Sequence, residues 1–305
     1  MSFKKQLSQK VIHIEEILSR FLPEETGYQK TVLEAMNYSV TAGGKRLRPM
    51  LMEECFAMFG GKGEIVYPFM AALEMIHNYS LVHDDLPSMD NDEYRRGRKT
   101  TWTVYGDGMA VLAGDGLLNL AYETAAKAFD MTENVIELKR VAKALQILGK
   151  KAGVYGMIGG QTADIEAEDG KCPLTEEVLL FIHENKTAAL IQAAMMIGTV
   201  LAGGDEEAVS KMEQAAYNIG IAFQIQDDIL DVTSTTEVLG KPVGSDEKNN
   251  KLTYVSLKGL KQSHEDVKQL SEEAIDILTA YSKAEGNLEN LFLIELTKSL
   301  ITREK

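Results

Sequence analysis

The sequence predicts an all-α fold, and three observations carry that expectation. Apolar residues recur at three- and four-residue intervals along nearly the whole chain, no segment shows the strict alternation of a half-buried strand, and the interruptions are Gly, Pro and polar punctuation. The periodic stretches run through roughly 5–20, 28–42, 49–60, 66–86, 108–129, 134–165, 175–202, 206–232, 252–259, 263–282 and 285–302. Breaks at Pro23, Gly43–Gly44, Gly60–Gly61, Gly106–Gly108, Gly203–Gly204 and the polar run Ser234–Lys251 separate them. No Pro-, Gly- or Ser-rich linker divides the chain, so a single large helical domain over residues 1–305 is expected.

Hydrophobic residues make up 45% and charged residues 26%, an ordinary globular balance that excludes a disordered chain. Acidic side chains number 46 against 32 basic ones, and the net charge of −14 repels a nucleic-acid backbone. A small polyanion would need local cations and bridging metal ions to bind. Cys55 and Cys172 lie far apart and in no CxxC spacing, which argues against a disulfide framework or a zinc site and suits a reducing compartment. The N-terminal stretch carries charges at helical spacing and lacks the core of an export signal, so a cytoplasmic location is expected. The most apolar stretch, Ala188–Ala202, is shorter than a bilayer span and reads as a buried core helix, with no membrane partner.

Two clusters of paired aspartates stand out, Asp84–Asp85 with Asp90 and Asp227–Asp228 with Asp231. Each ends a strongly apolar helix, and adjacent carboxylates are costly to hold together unless cations neutralise them. Asp227 and Asp231 are four apart and share one helix face. Asp84 and Asp90 are six apart, which an unbroken helix would turn away from each other; Pro87 disfavours helical geometry at Leu86 and lets two residues loop out. No twelve-residue EF-hand loop is present, and open carboxylate sites suit magnesium carrying a polyphosphate.

Basic residues gather nearby in sequence. Gly43–Gly44–Lys45–Arg46–Leu47–Arg48–Pro49 places three cations at a helix N-terminus, a diphosphate cradle in outline. Arg95–Arg96–Gly97–Arg98–Lys99–Thr100 follows the first aspartates directly. Lys186, Thr187 and Gln224 lie on apolar helices, and Lys241 and Lys251 belong to the polar run, which has the composition of a lid. His77 lies two turns before Asp84 on roughly the same face; with His83 it shows no zinc-ligand spacing. Four glycines between Gly153 and Gln161 mean that something approaches that helix closely, either another helix or a substrate.

These segments together resemble the trans-isoprenyl diphosphate synthases, in particular their bacterial farnesyl diphosphate synthase branch. The matching motifs are GGKRLRP, LEMIHNYSLVHDDLPSMDND with RRG, LAGDGLL, GMIGGQTADIE, IHENKTAALI, FQIQDDILDV and LGKPVGSDEKNNKLTY, in family order from about residue 40 to 260. The resemblance implies an isoprenoid-synthase bundle with a central cavity, a homodimer, and three magnesium ions, two on Asp84, Asp85 and Asp90 and one on Asp227 with Asp231. It implies that Arg95, Lys186 and Lys241 hold an allylic diphosphate. Gly44, Lys45, Arg48, His77 and Arg96 would bind isopentenyl diphosphate, and Lys251 would serve the same substrates. Thr187 and Gln224, with Lys186 and Lys241, would flank a developing allylic cation. Tyr79, five residues before Asp84, resembles a floor for a fifteen-carbon product, with small Ser80 beside it. That favours farnesyl over geranylgeranyl diphosphate. The sequence departs from the family at Arg98–Lys99–Thr100, Trp102, Ala188 and Leu252. A class I terpene cyclase would carry a different second metal motif and no GGKR cradle, and a non-catalytic synthase subunit would have lost an aspartate cluster.

Overall fold

A computed structural model describes residues 2–173, 175–233, 253–284 and 291–301 of the chain. Lys241, Lys251 and Leu252 lie outside the described residues. The chain divides into two compact units, Met1–Glu53 with Lys62–Leu145, and Glu54–Gly61 with Gln146–Lys305.

The first unit is organised around a helix that is buried on nearly every side. In order come α1 (Phe3–Ser19), α2 (Lys30–Val40), the start of α3 (Leu47–Met58), α4 (Tyr67–Asp84), the short strands β1 (Tyr94–Arg95) and β2 (Arg98–Lys99), α5 (Thr101–Tyr105), α6 (Asp107–Ala126), a 3-10 turn at Lys127–Met131, and the start of α7 (Val135–Ala152); the last residues of α3 and α7 belong to the second unit. Pro68 opens α4, where its missing N–H costs nothing, and Phe69, Met70, Leu73, Met75 and Ile76 are fully buried along it. Helix α4 packs on α6, α2 and α1. The face of α6 toward it is made of small residues, Ala110, Ala113, Gly114 and Ala121. A Cβ on Gly114 would fall 2.0 Å from His83 Nε2, so glycine at that position leaves room for the His83 ring between the two helices.

The second unit continues with α8 (Met157–Glu168), α9 (Glu176–Ile182), a π-helical turn (His183–Ala188), α10 (Ala189–Ala202), α11 (Glu206–Thr233), α12 (Tyr254–Lys258), α13 (Leu260–Ala284) and α14 (Leu291–Ile301). Helix α10 is the buried core helix expected from its composition, closed by Gly203 in left-handed geometry. It packs on α11, which also carries α13. Among the described residues no helix is long and apolar enough to cross a membrane.

Three local features differ from the periodicity. Residues 94–99 form an antiparallel hairpin, with Tyr94 opposite Lys99 and Arg95 opposite Arg98, where no strand is expected. The stretch 134–165 is two helices, because the chain turns between Gly153 and Gly156. The stretch 175–202 contains the π turn, a widened i→i+5 segment of the kind that concentrates at functional sites.

Within the glycine-rich segment, Gly160 answers to helix packing. A Cβ on Gly160 would lie 2.1 Å from the backbone nitrogen of Lys186, so α8 meets the π turn backbone to backbone. Gly160→Ala should therefore destabilise by about 1–3 kcal/mol in urea unfolding. Gly149, inside α7, faces nothing within 4 Å. Gly149→Ala should be neutral or stabilise by up to ~1 kcal/mol; equal effects at the two positions would contradict this account.

Candidate functional site

Helix α4 delivers Asp84 as its last residue and Asp85 as its C-cap. Past Pro87 the chain folds back: Met89 and Asn91 donate their N–H groups to the Leu86 carbonyl at 2.9 and 3.0 Å, and Asp90 donates to the Asp84 carbonyl at 2.8 Å. Asp90 thus returns to Asp84 across the two-residue insertion, and Asn91 completes the turn with φ 55°. Asp85 is buried, Asp84 part-buried and Asp90 exposed.

Carboxylates at a helix C-terminus add to the negative end of the helix dipole, which raises the demand for a cation. Burial pushes Asp85 up to about 6, against the neighbouring Arg95, which draws it down. Arg95 Nε and Nη2 both sit 2.6 Å from Asp85 Oδ1, and Nη2 is 3.5 Å from Asp92. Among the described residues no group of three His, Cys, Asp or Glu converges as a ready metal cage. Hard oxygen donors in an open arrangement fit magnesium, which keeps water and phosphate oxygens in its shell.

The hairpin turn is Arg96–Gly97, both left-handed at φ 54° and 74°, the geometry of a two-residue type I′ turn. Arg96 donates to the carbonyl of Gly43. Gly44, at φ 148°, lies under its guanidinium, and a Cβ there would come 2.9 Å from Arg96 Nη1. Gly44 therefore seats Arg96. Of the three cations expected in the cradle, Lys45 is exposed, while Arg46 turns inward at φ 49°. Its Nη1 is 2.8 Å from Glu74 Oε1 and its Nη2 2.6 Å from the Val40 carbonyl, so Arg46 is a structural anchor.

Arg48, Arg96 and Arg46 all act electrostatically on His77 from close by. Burial first, and these guanidiniums with Arg95, hold His77 well below its usual range, so the imidazole is neutral. Burial also lowers Arg48, with Glu74 opposing. Arg48 Nε is buried with no hydrogen-bond partner, an orphaned donor that an anion would satisfy. Ser80 Oγ donates to the His77 carbonyl at 2.9 Å. Tyr79 is buried at 6% exposure, its hydroxyl has no partner, and its ring meets His83 edge-on at 5.8 Å. Beside Asp85 and the arginines opens a shallow cleft lined in part by Tyr38, Ser39, Asn78, Arg98 and Thr101.

In the second unit the π turn carries Lys186 and Thr187. Gly160 of α8 flanks it on one side, and on the other a Cβ on Gly220 would fall 2.3 Å from the Ala188 methyl. Lys186 Nζ pairs with Asp164 of α8, a residue that sequence reasoning left out although it follows the GGQ motif at helical spacing. Gln224, Asp227 and Asp231 lie along α11, with Asp231 buried. Asp228 serves the fold instead, because its Oδ2 accepts the Tyr254 N–H at 2.7 Å and caps the start of α12. His183, in the same π turn, is held down at about 4 by burial, with Asp164 opposing.

Arg46→Met should cost roughly 3–5 kcal/mol in chemical denaturation, because Glu74 is left buried without its partner. Lys45→Met should stay within about 0.5 kcal/mol. Below about pH 6.5 the unfolded chain takes up a proton at His183 that the folded chain refuses until about pH 4. Stability therefore falls as pH drops through that window, by up to ~1.4 kcal/mol per pH unit from this group. Subtracting the pH profile of His183→Asn isolates it from Asp85, which titrates in the opposite sense; superimposable profiles would refute the assignment.

The polyprenyl synthetase family profile matches residues 29–291. The chain is 43% identical over 261 residues to a geranylgeranyl diphosphate synthase of Cyanophora paradoxa, covering 86% of this chain and 85% of that protein. It is 42% identical over 260 residues to a farnesyl diphosphate synthase of Geobacillus stearothermophilus, covering 85% and 86%. The crystal structure of an FPP/GFPP synthase from Zymomonas mobilis superposes with TM-score 0.85 at 29% identity, over 98% of this chain and 99% of that one. With the folded-back aspartates and the arginine hairpin, these likenesses identify the chain as a member of the polyprenyl synthetase family, that of the trans-isoprenyl diphosphate synthases.

Proposed function

We propose that the protein is a trans-prenyltransferase that joins isopentenyl diphosphate to dimethylallyl and then geranyl diphosphate, giving farnesyl diphosphate. The observation that carries this reading is the return of Asp90 to the Asp84 carbonyl at 2.8 Å, beside an arginine hairpin. That arrangement gathers hard anionic donors and diphosphate-binding cations within one unit. The family profile runs through both compact units, which supports one functional domain over residues 1–305.

Magnesium, with three ions in the proposal, supplies charge neutralisation of the departing diphosphate. Arg95, Lys186 and Lys241 orient the allylic diphosphate, while Lys45, Arg48, Arg96 and neutral His77 hold isopentenyl diphosphate, with Gly44 giving Arg96 its place. Thr187 and Gln224 face the cationic carbon with neutral oxygens, which stabilise positive charge without capturing it. Lys251 contributes to the same substrates. Loss of a proton from the adduct goes to the released diphosphate, so no protein nucleophile is required.

Tyr79 supports the fifteen-carbon product: its ring is buried and fixed against His83, as a pocket floor must be. Geranylgeranyl diphosphate is the alternative, favoured by the names of several relatives at 40–44% identity. The proposal includes a homodimer, supported by Val111 and Leu112 standing 41% and 54% exposed on α6. It also includes a cytoplasmic location, supported by the two free cysteines.

Purified protein incubated with isopentenyl diphosphate, dimethylallyl diphosphate and magnesium should yield a fifteen-carbon alcohol after dephosphorylation, and chelation should abolish it. Twenty-carbon alcohol would select the alternative, and no elongation would sink the enzyme reading. Tyr79→Ala should lengthen the product; an unchanged chain length would remove Tyr79 from the floor.

A further inference from the structure

We propose that Tyr38, on α2, is a positioning residue for the hairpin arginines Arg95 and Arg96. Its hydroxyl donates to the Lys99 carbonyl at 2.8 Å, and its ring lies 4.4 Å beneath the Arg98 guanidinium. Lys99 and Arg98 are the whole of β2, so one side chain grips that strand by its backbone and by its side chain. The strand it grips is paired with β1, in which Arg95 stands opposite Arg98, and the connecting turn is Arg96–Gly97.

A two-stranded hairpin with two residues in each strand is not stable alone, and its arginines are only as well placed as the hairpin is held. Two contacts hold its tip to the chain after α2: Arg96 donates to the Gly43 carbonyl and Arg98 Nη1 to the Thr41 carbonyl at 3.4 Å. The first would be given up in part if Arg96 engaged an anion. The Tyr38 contacts use Lys99 and Arg98 and stay in place when Arg95 and Arg96 take up ligand. Tyr38 is itself fixed by Tyr105 of α5, edge-on at 5.7 Å. Its ring is thus set before any ligand arrives, and the binding arginines are ordered in advance.

This inference rests on the proposed diphosphate chemistry, and the experiment separates the two. Inorganic diphosphate with magnesium is titrated calorimetrically into wild type, Tyr38→Phe and Tyr38→Ala. Tyr38→Phe keeps the stacked ring and loses the hydroxyl, and should bind about fivefold more weakly. Tyr38→Ala loses both contacts and should bind roughly tenfold or more weakly. In steady-state assays the KM for isopentenyl diphosphate should rise in the same order while kcat changes less than about twofold.

Unchanged affinity in Tyr38→Phe and Tyr38→Ala would overturn the proposal, as would a fall in kcat with KM held. If Tyr38→Ala fails to fold, Tyr38→Phe alone decides, since it preserves volume and packing. A wild type that binds diphosphate and forms no prenyl product would refute the proposed function, and the titration would still decide the role of Tyr38.

Discussion

The arginine-bearing part of the first unit hangs on one buried ion pair, Arg46 with Glu74, whose side chains are 2% and 3% exposed. It ties the glycine turn after α2 to the middle of α4, and that turn carries everything next to it. Gly43 offers the carbonyl that receives Arg96, Gly44 leaves the space under its guanidinium, and Arg48 is pointed into the neighbourhood of His77. A buried pair of this kind contributes little net stability. Its effect is to fix which of three adjacent cations faces inward, so that the others keep charge to offer a ligand.

The second unit solves its own version of the problem by close approach. The turn bearing Lys186 and Thr187 is widened into π geometry between Gly160 and Gly220, each of which meets it where a methyl group would collide. Ala188, a departure from the glycine usual in the family, fits because position 220 is glycine. On α11 the three aspartates divide their work: Asp228 caps α12 through the Tyr254 N–H, while Asp227 and Asp231 share the face one turn apart.

Much of this was legible in the residues. The helices follow from periodicity, and the return of Asp90 to Asp84 follows from the six-residue spacing and Pro87. The hairpin was not legible, because two-residue strands are too short for alternation to register; Gly97 after two arginines was its one local sign. The π turn has no local sign at all, since it is imposed by helices distant in sequence. The inward turn of Arg46 was hidden for a related reason: three cations within four residues look equivalent until a backbone angle and Glu74 choose one. Asp164 escaped because it is one of several acidic residues on α8, and nothing local says which of them a lysine 22 residues away will reach.

Among the described residues, three with side chains, Arg46, Asn91 and Arg96, adopt left-handed backbone geometry, and all three flank the aspartates or the arginine cluster. Glycine would relax the backbone at each of them by about 1 kcal/mol, but at Arg46 the loss of the Glu74 pair outweighs that gain. A selection for heat resistance alone would therefore drift toward glycine at Arg96 and erode the charge that its turn displays. The strain marks where durability and activity pull this sequence in opposite directions.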